Sequence, residues 1–178
     1  MMRTLRTALL TLAAALLLAG CGWQLRGAGL VPEGLETLHI TSRDPYSPLV
    51  VELTRTLRAA NVQVTESAAE APYALAILDQ RSGVRTATVN ANARVSEQEL
   101  SEEVEFLIAD RDGNVLLPRS TVMVERVFEY DETNVLATRD EEQLIRAEMR
   151  RDLVSQILNH FRQIQNQQGR GVNGASAP

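Results

Sequence analysis

Between Tyr73 and Tyr130 the sequence alternates apolar and polar residues almost without a break, and about sixty residues of period two leave room for little but sheet. Tyr73, Leu75 and Ile77 begin the pattern. Arg85 to Val95 carries its cleanest stretch, with Ala87, Val89, Ala91, Ala93 and Val95 on one face and Thr86, Thr88, Asn90, Asn92 and Arg94 on the other. One strand is predicted there, its apolar face packed, with the following turn at Glu97 to Leu100. Val104, Phe106 and Ile108 then alternate with Glu103, Glu105 and Leu107. The run Asp110-Arg111-Asp112-Gly113-Asn114 supplies a turn with Gly where positive φ is wanted. Val115 to Leu117 and Thr121 to Tyr130 return as a final strand, Pro118 marking an edge or a bend. Consecutive strands joined by short turns predict an antiparallel meander.

A sheet patterned on one face needs a cover, and the flanking sequence offers two helices. Leu35 to Ser42 alternates as a half-buried strand, which puts His39 on its polar face as a solvated residue. Ser47 and Pro48 then open a helix: the hydroxyl accepts from free N–H groups, and proline suits the first helical position. Leu49, Val50, Leu53, Leu57 and Ala60 form its apolar stripe, and Asn61 tolerates the left-handed conformation that ends helices. Val62 to Val64 is a short extended piece. After the sheet, Thr138-Arg139-Asp140-Glu141 matches a capping box, Thr at the N-cap and Glu three residues on. Ile145, Met149, Leu153, Ile157, Phe161 and Ile164, flanked by Leu144, Val154 and Leu158, make a broad stripe. Residues 166–178 are too poor in apolar side chains to order themselves and are expected as a disordered tail. The predicted fold is α+β: a two-layer sandwich with two helices on one face of a mainly antiparallel four-stranded sheet, spanning residues 35–165.

The amino terminus is of another kind. Arg3 and Arg6 precede an apolar stretch from Ala8 to Ala19, the pattern of a secretory signal and too short for a bilayer span of roughly 20 apolar residues. It ends in Leu18-Ala19-Gly20-Cys21, which resembles a bacterial lipobox. Cys21 is the sole cysteine of the chain, so no intrachain disulfide is available and acylation is the expected fate of its thiol. Cleavage after residue 20 leaves 158 residues, a one-domain length, behind a lipidated linker over residues 21–34. Several acyl chains anchor a protein stably where one alone does not. Gly22 rather than Asp after the cysteine resembles the outer-membrane sorting pattern.

Charge narrows the partners. Two of the eighteen basic residues fall in the signal and no acid does, so the mature net charge is −7, and every basic residue is Arg. Nucleic acid is disfavoured, since such binding neutralises phosphates in bulk. An enzyme has little to work with. His39 and His160 are the only histidines, Gly27-Ala28-Gly29 lacks a third glycine, and no metal spacing, cofactor loop or nucleophile elbow occurs. The cluster Glu97, Glu99, Glu102, Glu103 and Glu105 reads most simply as a solvated turn and strand face. A non-catalytic protein is therefore expected, without metal or cofactor.

With the elements placed, three further stretches resemble the LPS-assembly lipoprotein LptE family: Cys21-Gly22-Trp23-Gln24-Leu25-Arg26 at its mature amino terminus, Asp44-Pro45 with Pro48-Leu49 at its first turn into helix, and Asp140-Glu141-Glu142-Gln143 at its second helix start. The likeness runs from Cys21 to about Phe161. It implies a two-layer sandwich that plugs the lumen of the β-barrel protein LptD in the outer membrane, tethered from the periplasmic side, and that binds lipopolysaccharide (LPS) for delivery to the cell surface. Thr86, Thr88, Asn90 and Asn92 become candidates to face the barrel, although a plain solvated sheet face accounts for the same pattern. The resemblance places LPS-binding basic residues at Arg139 and near Asn90, which is not basic here; Arg94 and Arg85 are the cations that could substitute. Arginine's planar fork suits phosphate, and Arg139 at a helix start would share its anion with free N–H groups. Arg139 paired with its neighbouring carboxylates is the competing reading. A different function also remains compatible with lipobox and fold: an outer-membrane lipoprotein that scaffolds another envelope complex or binds the cell wall.

Overall fold

The computed structural model describes residues 31–32 and 35–174, with side chains as far as Gln167. Cys21, the signal and nearly all of the linker lie outside these residues. The elements run β1 (Thr37–Ser42), α1 (Pro48–Ala59), β2 (Gln63–Thr65), a 3-10 turn (Ala68–Glu70), β3 (Tyr73–Val89), β4 (Val95–Asp110), β5 (Val115–Glu129) and α2 (Val135–Gly174).

The strands form one five-stranded mixed sheet in the order β2-β1-β3-β4-β5. This corrects the expected four-stranded, mainly antiparallel sheet. β1 lies parallel to both β2 and β3, with His39 opposite Thr65 on one side and Ala74 on the other. The reason is the crossover: α1 carries the chain back over the sheet, and parallel neighbours need such a return. The short extended piece expected after Asn61 is therefore a member of the sheet, as β2. The β3–β4–β5 meander is antiparallel as predicted.

Both helices cover one face. Leu75 and Ile77 of β3, Leu100, Val104, Phe106 and Ile108 of β4, and Val122, Val124 and Phe128 of β5 point into the core. They meet Leu49, Val50, Leu53 and Leu57 of α1 and Met149, Leu153, Val154, Ile157, Leu158, Phe161 and Ile164 of α2. Tyr73 meets Phe161 edge to face, with ring centroids 6.2 Å apart. Leu144, expected beside the α2 stripe, is instead 59% exposed.

Local sequence explains the start and stop of α1. The Ser47 hydroxyl accepts from the Val50 N–H at 3.3 Å, and Pro48 occupies the first turn. At the other end Asn61 has φ +62°. Its N–H reaches the Arg58 carbonyl at 3.0 Å, and the Val62 N–H reaches the Leu57 carbonyl at 2.9 Å, the paired bonds of a Schellman stop. α2 departs from expectation at both ends. It begins at Val135, and Thr138 sits in its first turn with the hydroxyl buried against the Asn134 carbonyl at 3.1 Å, so the capping-box reading fails. Its backbone continues to Gly174, past residue 166 where a disordered tail is expected; residues 175–178 lie outside the described ones.

Candidate functional site

β3, β4 and β5 are long strands, and at roughly 3.3 Å per residue β3 alone spans about 55 Å. The core uses only part of that length. Beyond Ile77 on β3 and before Leu100 on β4 no residue is buried, although Phe128 of β5, opposite Gln98, still is, so the helices leave the β3 side of the hairpin end uncovered. The predicted packed face of Arg85 to Val95 is thus exposed throughout β3, from Arg85 to Val89. The stretch is also not one strand. The Asn90 N–H donates to the Arg94 carbonyl at 2.8 Å and the Ala93 N–H to the Asn90 carbonyl at 2.9 Å, folding residues 90–94 into a turn. Asn90 Oδ1 accepts from the N–H groups of Asn92 and Arg94 at 2.9 and 3.2 Å. Ala93 takes φ +57°, a conformation with a steric cost for any residue carrying a Cβ. Glu97 to Leu100, expected as the turn, are paired strand residues opposite Phe128, Val127 and their neighbours.

This rearranges the candidate residues. Thr86 pairs with Gln98 and Thr88 with Glu97, consecutive residues of β4. An irregularity at Ala87 therefore puts the two threonines on opposite faces, and they do not form one polar stripe. Thr88 donates its hydroxyl to the Glu97 carboxylate. Arg85 is held by Glu99 on the face away from the helices, with Nη2 to Oε2 at 2.7 Å. Thr88, Asn90 and Arg94 do come together. With Val95, Ser96, Glu97 and the loop Glu129 to Thr133 they line a concavity of about 580 Å³ at the hairpin end.

Carboxylates outnumber the cation in that concavity. Arg94 shares it with Glu97, Glu129, Asp131 and Glu132, and Glu97 sits directly opposite Glu129, a repulsive cross-strand pair. Asp131 is held well below its ordinary carboxylate range, because the Thr133 hydroxyl donates to it at 2.6 Å and the Thr133 N–H at 2.8 Å. Arg139 leaves the same end on α2, exposed, on the second turn. Since the helix starts at Val135 and the Thr138 N–H already bonds the Asn134 carbonyl at 3.1 Å, Arg139 does not stand at free N–H groups, and a shared grip with the helix terminus is corrected.

Away from the hairpin end, the histidines are structural. His39, expected in solvent, is 9% exposed with Nδ1 2.9 Å from the Thr65 carbonyl. His160 stands edge-on to Phe106, centroids 5.5 Å apart. No group of three His, Cys, Asp or Glu among the described residues is placed to hold a metal ion. One ionic cluster is invisible in the sequence. Arg146 of α2 binds Glu142 at 2.8 Å and crosses to the sheet, where Nη1 lies 2.6 Å from Glu102 and 2.8 Å from the Ser82 hydroxyl. Burial opposes its charge, and the two carboxylates more than offset this, raising its pKa. The four-residue spacing of Glu142 and Arg146 was the one readable sign.

The family model described as LptE, lipopolysaccharide-assembly, matches residues 35–161. The chain belongs to the LptE family. The LPS-assembly lipoprotein LptE of Photorhabdus laumondii is 36% identical over 149 residues, covering 82% of this chain and 81% of the relative. That of Yersinia pestis (strain Pestoides F) is 32% identical over 164 residues, covering 89% and 78%. Among solved structures, rare lipoprotein B of Shewanella oneidensis is similar with a TM-score of 0.61 at 25% identity, over 77% of this chain and 97% of that one. A lipoprotein B of Nitrosomonas europaea shares the fold with a TM-score of 0.67 at 23% identity, over 86% and 96%. LptE relatives are thus named for assembly rather than for a reaction, and as lipoproteins. No helix among the described residues of this LptE-family chain is long and apolar enough to cross a membrane.

Proposed function

We propose that this chain is the lipid-anchored, non-catalytic subunit of the outer-membrane LPS translocon, held by acylated Cys21, lodged in the lumen of the LptD β-barrel and in contact with LPS on its way to the cell surface. The observation that carries the reading is the uncovered hairpin end. The end of β3, exposed on both faces from Arg85 to Val89, has more surface than the core uses, and the hairpin's hydroxyl, amide and paired ionic groups suit the polar interior of a large barrel. Thr88, Asn90 and Asn92 at the tip, with Thr86 on the other face, are the residues that meet the barrel. Arg94 and Arg139 are the cations for LPS. Both are exposed, and neither has an ion pair among the described residues. Arg85, engaged by Glu99, is the weakest of the three.

Purification of the full-length lipoprotein in mild detergent tests the reading. One large β-barrel protein should accompany it, and Thr88→Glu with Asn92→Glu should reduce the recovered barrel several-fold while leaving the melting temperature within about 2 °C, as exposed substitutions do. Recovery of the chain with no barrel would reject the assembly, and full recovery with the double variant would reject the tip as its contact.

A further inference from the structure

β5 is the last strand of the sheet, and no strand among the described residues pairs with its outer edge. Its register on β4 is constant from Ser120 to Glu129, with no bulge to twist that edge away and no proline to block it. Two contacts fix the direction of its peptide groups. The Tyr130 N–H bonds the Ser96 carbonyl on β4, whereas the Glu125 carbonyl accepts from the Arg126 guanidinium, Nη1 at 3.0 Å. Peptide groups alternate in direction along a strand, so Val122, Val124, Arg126 and Phe128 bond inward to β4, and Thr121, Met123, Glu125 and Val127 present N–H and C=O outward. The side chains of those four, on the face away from the helices, are exposed, Met123 by 50% and Val127 by 53%. α2 does not close the edge, since a concavity of about 330 Å³ separates Met123 to Arg126 from Asp152, Ser155 and Gln156. An edge of this length and regularity is a template for another strand.

We propose that this edge pairs with the same edge of a second copy of the chain, antiparallel about a two-fold axis at Val124, joining the two sheets. Charge and register select that occupant. With the two Val124 residues opposite one another, Arg119 of each copy falls opposite Glu129 of the other, Thr121 opposite Val127, and Met123 opposite Glu125. The four outward residues of each copy then exchange hydrogen bonds, and Met123 and Val127 of the two copies meet as diagonal neighbours. Glu129, which faces Glu97 within its own sheet, gains a cation on its open side. Moving the axis to Glu125 sets that carboxylate against itself, and moving it to Met123 loses the match of Arg119 with Glu129. Such self-complementary contacts are how most identical chains associate. Arg126 guards the edge. Its Nη2 bonds Asp152 at 2.6 Å while Nη1 occupies the outward Glu125 carbonyl, a bond that pairing must release. The proposal goes beyond the translocon reading and concerns the chain outside any barrel.

Sedimentation equilibrium of the full-length lipoprotein, purified without any barrel in a density-matched neutral detergent, should give a protein mass that approaches two chains as concentration rises. Met123→Pro removes an outward N–H that β4 does not use, and should weaken pairing about tenfold or more. Glu129→Arg should weaken it several-fold by setting Arg against Arg119, and adding Arg119→Glu to the same chain should restore it. Arg126→Ala should strengthen it, the Glu125 carbonyl being freed. Oxidation of a chain carrying both Thr121→Cys and Val127→Cys reads the register, because the two sites lie about 20 Å apart within one chain and opposite one another between copies. A disulfide-linked dimer is expected there, and none from Thr121→Cys alone or from the unaltered protein. A single-chain mass at every concentration, a dimer untouched by Met123→Pro, failure of Arg119→Glu to restore Glu129→Arg, or equal cross-linking by Thr121→Cys alone would each overturn the proposal. Paired cysteines that link only to a co-purified barrel would also overturn it, giving the edge to that protein and leaving the translocon reading in place.

Discussion

The two halves of the β3–β4–β5 blade are made from the same kind of strand and held in different ways. In the half beneath the helices every second residue of β4 from Val104 to Ile108 is buried, and the apolar face is closed by α1 and α2. In the uncovered half Val84 and Val89 are 51% and 56% exposed, and the pairing is supported by ladder hydrogen bonds, the Asn90 turn and ion pairs such as Arg85–Glu99. Exposed pairs of that kind contribute little. Stability thus resides at one end and accessible surface at the other, and the hairpin is stable as an extension of a sheet already folded.

The largest test of this division lies in the covered half. Phe106 is fully buried against His160, and Phe106→Ala should cost about 3–5 kcal/mol by chemical denaturation, the range for a large aromatic removed from a core. Val89→Ala at the other end should cost less than about 0.5 kcal/mol. Comparable losses at both positions would mean that the blade is one uniformly stabilised body.

A smaller effect is expected where the halves join. Arg146 and Glu102 are only 19% and 16% exposed, so Arg146→Met leaves a partly desolvated carboxylate facing the helix and should cost about 1–3 kcal/mol. Glu102→Gln together with Arg146→Met should recover much of it, since both charges are then gone. A double variant as unstable as the sum of its parts would show that packing of the arginine stem, not the ion pair, joins helix to blade.

How much of this was readable follows the same line. In the covered half, burial imposes a period on the sequence, so the apolar stripe of α1 apart from the exposed Ala60, its Ser47-Pro48 start and its Asn61 stop are legible, as is most of the α2 stripe. Where nothing is buried, the period carries no positional information. Alternation of Ala87, Val89, Ala91, Ala93 and Val95 runs straight through the turn at 90–94, because small residues fit a strand and a turn equally and Ala93 gives no sign of positive φ. The start of α2 fails similarly. Thr138 and Glu141 match a cap by pattern, but Thr133 and Asp131 form the turn one step earlier, and Val135 and Leu136, 43% and 74% exposed, lack the apolar spacing that would mark a first turn. The parallel pairing of β1 was hidden by its partner's length, since three residues of β2 are too few for alternation to register. Of the candidate site, Thr88, Asn90 and Arg94 were brought together and Arg85 was not, because Arg85 lies opposite Glu99, further along the hairpin than the Glu97 opposite Thr88, and its fork is engaged there, a cross-strand pairing that no residue type announces.

The smallest effect concerns the turn itself and bears most directly on whether the uncovered half is preformed. Ala93 holds φ +57° at a cost that its methyl group imposes, of order 1 kcal/mol, and glycine would remove it. Glycine also has more freedom to lose on folding, which returns part of the gain. The net for Ala93→Gly should therefore be a stabilisation of the hairpin by roughly 0.5 kcal/mol, with little change in global unfolding because the core is untouched. Amide hydrogen exchange separates the two: the Ala87 to Val95 amides should slow about two-fold while those of Phe106 and Leu153 stay as they were. Faster exchange at the tip would mean that Ala93 is not strained in solution, and that the Asn90 bonds hold the turn in a conformation in which a methyl group costs nothing.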